Sequence, residues 1–442
     1  MTTPDDRYAR AKERRDKHVK AVLESDSKRK VVVAGPGTGK TYLFRRILDG
    51  KPNSLALTFI NSLVDDLSID LYGSADVRTL HSFATDLLRK SSHGKPIHIY
   101  SLLPELISED LLLLTGEQVD FVKIFNTLDD KNPNLDFYRR RKKYYDNSYG
   151  HSEVVFAAVM YLKEHPERIP SYDQVLVDEF QDFNILEVSL IGMLSTRSPV
   201  LLAGDDDQAL YDFKHADPKH IRLRHSDGEA FEAFNLPMCS RCTRVIVEAS
   251  NDVVGNAVRR DLLRGRIEKP FEYFDEKDKD QVSDSFPKIT HGQIFSAQVP
   301  WFVENKLDEV ARLTHGGFSV LIISPIRSHA RKLAMALRKR GFQNVEFADR
   351  PDKGINLMDG LKRLLANEGS NLGWRIASAA LLDADSLKRH WPIRTATLLQ
   401  LSKKPSMKTS EGLSKSYFSF FERFEIKSPR QKKKSNCCTI TA

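Results

Sequence analysis

The chain has 442 residues, 40% hydrophobic and 29% charged, the composition of a soluble globular protein with two or three domains. No stretch approaches the length of a membrane span and the N-terminus has no apolar signal core, so a cytoplasmic protein with no membrane partner is expected. The formal charge is +8, but residues 391–442 hold eleven Lys/Arg against three Asp/Glu, so this tail carries the whole excess. A global electrostatic case for nucleic acid binding is thereby excluded, and any such case must rest on local sites.

In chain order, Thr3-Pro4-Asp5-Asp6 reads as a helix cap before a charged amphipathic run to about Leu23. Runs at Val31–Ala34, Leu55–Phe59, Gln174–Val177 and Val200–Ala203 alternate with helical patterns, which signals a parallel α/β sheet. Between Arg89 and Pro170 the strand signal vanishes, and Ser101–Leu114 and Ser152–Lys163 take helical spacing, predicting a helical insertion. Its block Arg139-Arg140-Arg141-Lys142-Lys143-Tyr144-Tyr145 suits either a nucleic-acid backbone groove or a solvated helix face. A long helix is predicted from Arg241 to Arg260, then an irregular charged stretch, Glu268–Ser285. The α/β rhythm returns with a strand at Phe318–Ile323 and helices at Arg327–Arg340 and Asn356–Asn367. From about Trp391, Ser, Lys and Pro dominate and disorder is expected. Cys239 and Cys242 have CxxC spacing, but the only other pair, Cys437-Cys438, lies at the C-terminus, so reduced thiols are expected rather than a zinc site.

Two segments carry chemistry. Val31–Tyr42 reads VVVAGPGTGKTY, a β-branched strand running into a glycine-rich turn and then a helix. Over Ala34, Gly35, Pro36, Gly37, Thr38 and Gly39 the backbone N–H groups can converge on anionic oxygens. Lys40 can reach the β- and γ-phosphates, and the Thr41 hydroxyl can ligate Mg²⁺. Ala34 stands where the strict pattern has Gly, which leaves the loop geometry intact. Val175–Asn184 reads VLVDEFQDFN, an apolar strand ending in Asp178, a metal carboxylate, and Glu179, which can polarise water for attack on the γ-phosphate. Together they predict a nucleoside triphosphatase using ATP and Mg²⁺.

Further segments fall in order behind these: Leu57-Thr58-Phe59-Ile60-Asn61, Thr79-Leu80-His81-Ser82-Phe83 and Gly204–Phe213, GDDDQALYDF. With VDEFQD, they resemble motifs Ia, Ib, III and II of the UvrD/Rep helicases, over roughly residues 15–376. The resemblance implies two RecA-like domains closing on ATP, with the strand contacted by Thr58, Phe59, Asn61, His81 and Tyr211. Aromatics there would stack on unpaired bases, worth ~1–3 kcal/mol each and tolerant of any sequence; for Phe59 a core position is the alternative. It further implies that Gln208 links the γ-phosphate to the DNA segment, and that Gln181 couples the site to the neighbouring domain. Cys239-Ser240-Arg241-Cys242 stands where the family has Tyr-Arg-Ser, so Arg241 would be an arginine finger, with a surface arginine as the alternative. His18 falls where the family places its adenine-reading glutamine, and an imidazole cannot pair bidentately with adenine.

The expected layout is a RecA-like ATP-binding domain (1–88 and 171–236), a helical insertion (89–170), a partial second RecA-like domain (237–390) and a basic tail (391–442). Ile393–Lys404 begins like the entry to motif V, but neither motif V nor motif VI follows, the pattern of a truncated or frame-disrupted gene or a natural short form. The leading expectation is a DNA helicase moving 3′ to 5′ on single-stranded DNA, in repair, recombination or defence, with ATP as its only small-molecule substrate. The alternatives are an ATP- and strand-binding module that does not unwind, working with a partner protein, and a generic ATPase acting on protein.

Overall fold

The computed structural model describes residues 4–381 apart from 60, 93, 95, 211–213, 290–291, 314–317, 343 and 348–353. The chain divides into two compact units: residues 1–95, 125–128 and 154–353, and residues 96–124, 129–153 and 354 onward.

The first unit is built on six strands, β1 (Arg29–Ala34), β2 (Ser54–Thr58), β3 (Asp76–Thr79), β4 (Gln174–Val177), β5 (Val200–Gly204) and β6 (Glu232–Leu236). All pair in parallel, in the order β3-β2-β4-β5-β1-β6, a RecA-like α/β sheet. Every residue of β2, β4 and β5 is buried, because helices cover both faces of such a sheet and leave no polar side to the strands. Over one face, Val32, Ala56, Leu176 and Leu201 pack with Leu43 and Phe44 of the helix Lys40–Leu48 and with Val22 of the helix Pro4–Glu24. The order matters for chemistry. It sets β4, β5 and β1 side by side, so the segments leaving their C-terminal ends share one rim.

Four expectations are corrected. Phe318–Ile323 forms no ladder, and Leu321 and Ile323 are 84% and 83% exposed; no described neighbour is there to take its backbone bonds, and a strand is not stable unpaired. The stretch after Glu268 is ordered: β8 (Glu272–Tyr273) pairs with β7 (Met238–Cys239), and Lys277–Ser285 is helical. The helices Leu357–Ala366 and Asn371–Leu381, expected in a second α/β domain, group instead with the second unit. Buried Arg375 explains this, because its guanidinium donates to Asp110 at 2.7 Å and Glu109 at 2.9 Å, on the helix Leu103–Thr115. A buried cation is tolerable only with such partners. Finally, the block from Arg139 to Tyr145 is no backbone groove along its length. Lys142 turns inward to Glu153 and Tyr145 is buried, donating to Asp110 at 2.7 Å. Burial pushes Lys142 down to about 6 and Glu153 well above the usual carboxylate range.

Candidate active site

β1 ends at Ala34 and the chain turns into the helix Lys40–Leu48. Gly37 and Gly39, at φ 70° and 95°, take left-handed backbone that side chains disfavour. A Cβ on Gly37 would also lie 2.4 Å from that of Arg241. The Thr38 hydroxyl donates to the Gly35 carbonyl at 2.9 Å and closes the loop. No side chain caps the helix at Gly39, so its first N–H groups remain for an anion.

Opposite stands the Asp178-Glu179 pair that leaves β4. Lys40 Nζ donates to Glu179 Oε1 at 3.0 Å. Glu179 sits at φ 52°, a left-handed conformation costly for a residue with a Cβ. Burial works against the Lys40 ammonium, but Asp178 and Glu179 beside it outweigh that and raise its pKa. Burial pushes Asp178 up to about 6, against the pull of Lys40. A deeply buried carboxylate raised in this way is what a divalent cation would compensate, and Thr41 follows Lys40 at the helix start. Asp178 and Thr41 are the side chains here that could hold Mg²⁺.

Gln181, only 1% exposed, ties two strand ends together. Its Nε2 donates to Glu179 Oε2 at 2.9 Å, and its Oε1 accepts from the Asp205 N–H at 3.0 Å, just past β5. Gln208 Nε2 donates to Asp205 Oδ2 at 2.7 Å. A continuous polar chain thus runs from the Asp-Glu pair to the segment after β5. Gln181, expected to couple the site to another domain, makes these bonds within the first unit.

Thr58 and Phe59, at the end of β2, are placed differently from expectation. Thr58 is fully buried, its hydroxyl without a hydrogen-bond partner among the described residues, so it is not presented at the surface as a strand contact would be. Phe59 is 9% exposed, packed edge-on against Phe183 with Lys214 Nζ 4.2 Å from its ring centre. The core alternative describes it, and base stacking does not. Phe59→Leu, which nearly conserves volume, is expected to leave single-stranded DNA affinity within about twofold; a loss of ~1–3 kcal/mol on every sequence would restore the stacking role. His81 opens the helix Leu80–Ser91, a quarter exposed, with Nε2 3.9 Å from Glu187 Oε1. Asn61 begins the helix Asn61–Asp70, its side chain outside the described residues, as is Tyr211.

Glu187 itself makes a testable point. Burial pushes its carboxyl up to about 7, although the Asn184 N–H and the Lys214 charge oppose this. Its folded pKa exceeds the unfolded one, so the stability it contributes is present at low pH and lost as pH rises through about 7. Glu187→Gln is expected to stabilise the fold at about pH 8 by on the order of 2 kcal/mol, with most of the gain gone at about pH 5. Thermal unfolding at the two pH values checks it.

Residues 119–228 match the UvrD/REP helicase N-terminal domain. The chain is 27% identical over 276 residues to DNA helicase II of Escherichia coli, covering 51% of this chain and 38% of that protein. It is 24% identical over 282 residues to DNA helicase II of Rickettsia typhi, covering 52% and 43%. Over a shorter stretch of 85 residues it is 34% identical to ATP-dependent DNA helicase Rep of Buchnera aphidicola, covering 19% and 13%. Over these stretches the chain is similar to the UvrD/Rep helicases. It spans about half or less of the length of these curated relatives.

Against that family pattern, the Tyr-Arg-Ser position is closely docked on the phosphate loop. Ser240 N–H donates to the Gly37 carbonyl at 2.9 Å, and the Cys239 thiol donates to the Pro36 carbonyl at 3.2 Å. Cys239 and Cys242 are free thiols. Arg241 therefore has its backbone fixed over Gly37 while its side chain is exposed. His18 is half-buried on the helix Pro4–Glu24, its pKa lowered by burial against the pull of Glu272. Lys214 and Lys269 lie outside the UvrD/Rep motifs, and their places follow from chain folding. Three successive aspartates at a buried strand end do call for a cation, but nothing local names the one that answers.

Proposed function

We propose that this chain couples Mg-ATP hydrolysis to movement along single-stranded DNA, as a DNA helicase of the UvrD type. The observation that carries the reading is the shared rim: Lys40, Asp178, Glu179 and Gln208 gather past β1, β4 and β5, while His81 stands past β3 on the same side of the sheet. Bound Mg²⁺ would offset charge on the β- and γ-phosphates. Lys40 would exchange Glu179 for phosphate oxygens, and the freed Glu179 would polarise the attacking water. Arg241 would stabilise charge on the γ-phosphate, and Gln208 would sense it. Asn61, His81 and Tyr211 would hold the strand, with 3′-to-5′ movement and a cytoplasmic role in repair, recombination or defence as parts of the same proposal.

One observation favours a second reading. Phe318–Ile323 pairs with no strand among the described residues, which supports an ATP- and strand-binding module that needs a partner protein to unwind. Strand displacement on a 3′-tailed duplex separates the two: unwinding by the purified chain, lost in Glu179→Gln, supports the motor, and ATP-dependent strand binding without displacement supports the module.

A further inference from the structure

Three consecutive aspartates leave β5, and Asp205 and Asp206 are each 3% exposed. Oxygens from all three carboxylates lie within 4.8 Å of one another, as if round a metal ion. An ammonium already fills that place. Lys269, its side chain 6% exposed, sets Nζ 2.6 Å from Asp205 Oδ1 and 3.0 Å from Asp207 Oδ2, and bonds Asp206 as well. An ammonium has three N–H donors, so each carboxylate can take one. Arg222 on Asp206 and Arg266 on Asp207, both at 2.9 Å, bring the cluster to charge balance. Burial works against ionisation of Asp206, but the bonds from Lys269 and the Ile267 N–H outweigh it and hold its carboxyl below the usual range.

Two connections lead from this cluster to the phosphate loop. Asp205 is the acceptor on which Gln208 fixes and the N–H on which Gln181 fixes, and Gln181 in turn holds Glu179. Asp205 Oδ2 would also lie 3.7 Å from a Cβ on Gly35. The other connection runs along the chain from Lys269 to Phe271, whose ring would lie 3.0 Å from that same Cβ. Asn251 donates to the Phe271 carbonyl at 2.9 Å, and the segment continues into β8, paired with β7 and so with Cys239 on Pro36.

Resting on the ATPase reading above, we propose that Lys269 is a positioning residue for the ATP site, neutralising Asp205 beside the phosphates and anchoring the segment that covers Gly35. Without it, one more carboxylate faces the triphosphate, and the glutamines that align Glu179 and the γ-phosphate lose their fixed partner. The ordinary alternative is an ion-pair cluster that only stabilises the fold.

The experiment measures Mg-ATP binding by calorimetry and steady-state hydrolysis for the natural chain, Lys269→Met and Lys269→Arg, with circular dichroism confirming the fold. Lys269→Met is expected to weaken Mg-ATP binding about tenfold, the effect of one uncompensated charge close to the phosphates, and to lower kcat as well. Lys269→Arg should recover affinity, because charge is kept, but recover kcat only in part, because a planar fork cannot serve three carboxylates at once. If Lys269→Met does not fold, the pair Lys269→Met with Asp206→Asn takes its place; it is neutral in sum but still leaves Asp205 without its ammonium, so a smaller loss of affinity with the same fall in kcat is expected. A folded variant lacking the lysine that binds and hydrolyses Mg-ATP like the natural chain overturns the inference and leaves the ATPase reading standing. No Mg-ATP binding by the natural chain overturns both.

Discussion

Lys40→Ala is expected to abolish measurable Mg-ATP binding, whereas Glu179→Gln should bind as well as the natural chain or tighter, yet hydrolyse ~10²–10⁴-fold more slowly. The asymmetry follows from the 3.0 Å contact between the two side chains. Lys40 supplies the cation that faces the cradle, and without it Asp178 and Glu179 present uncompensated negative charge to a triphosphate. Removing the Glu179 charge does the reverse, because it frees Lys40 for phosphate while taking away the group that polarises water. Calorimetry with Mg-ATP and a phosphate-release assay check the pair. Equal affinity in Lys40→Ala and the natural chain would remove the phosphate-cradle assignment.

The second large effect is expected at Arg241. Its backbone is pinned over Gly37 by the Ser240 bonds, and its exposed side chain stands at the mouth of the phosphate loop. Arg241→Ala should lower kcat by ~10³-fold, the lower range for loss of an arginine finger, with little change in Mg-ATP affinity. Single-turnover hydrolysis measures it. A change under about tenfold would assign Arg241 to the surface and leave transition-state charge to another group.

Much of this site was legible because its determinants are local. Gly37 and Gly39 are needed where the backbone turns left-handed, and a strand, a glycine loop and GKT in sequence carry that requirement openly. The Asp178-Glu179 pair was legible for the same reason, as the end of a buried apolar strand. What the sequence concealed depends on distant partners. Phe59 at a strand end could face solvent or core, and only Phe183, over a hundred residues on, decides it. Lys142 within a basic run gave no sign of Glu153, nor Arg375 of Asp110. Phe318–Ile323 carries strand chemistry that propensity alone could not turn into a ladder, since a strand is defined by its neighbour.

The most direct test of a DNA-driven motor is ATP turnover by the natural chain with and without single-stranded DNA, Glu179→Gln serving as the blank. Hydrolysis that rises severalfold on adding DNA of any sequence, and that falls away steeply with salt, is the expected result. Hydrolysis indifferent to DNA, or present equally in Glu179→Gln, would contradict it.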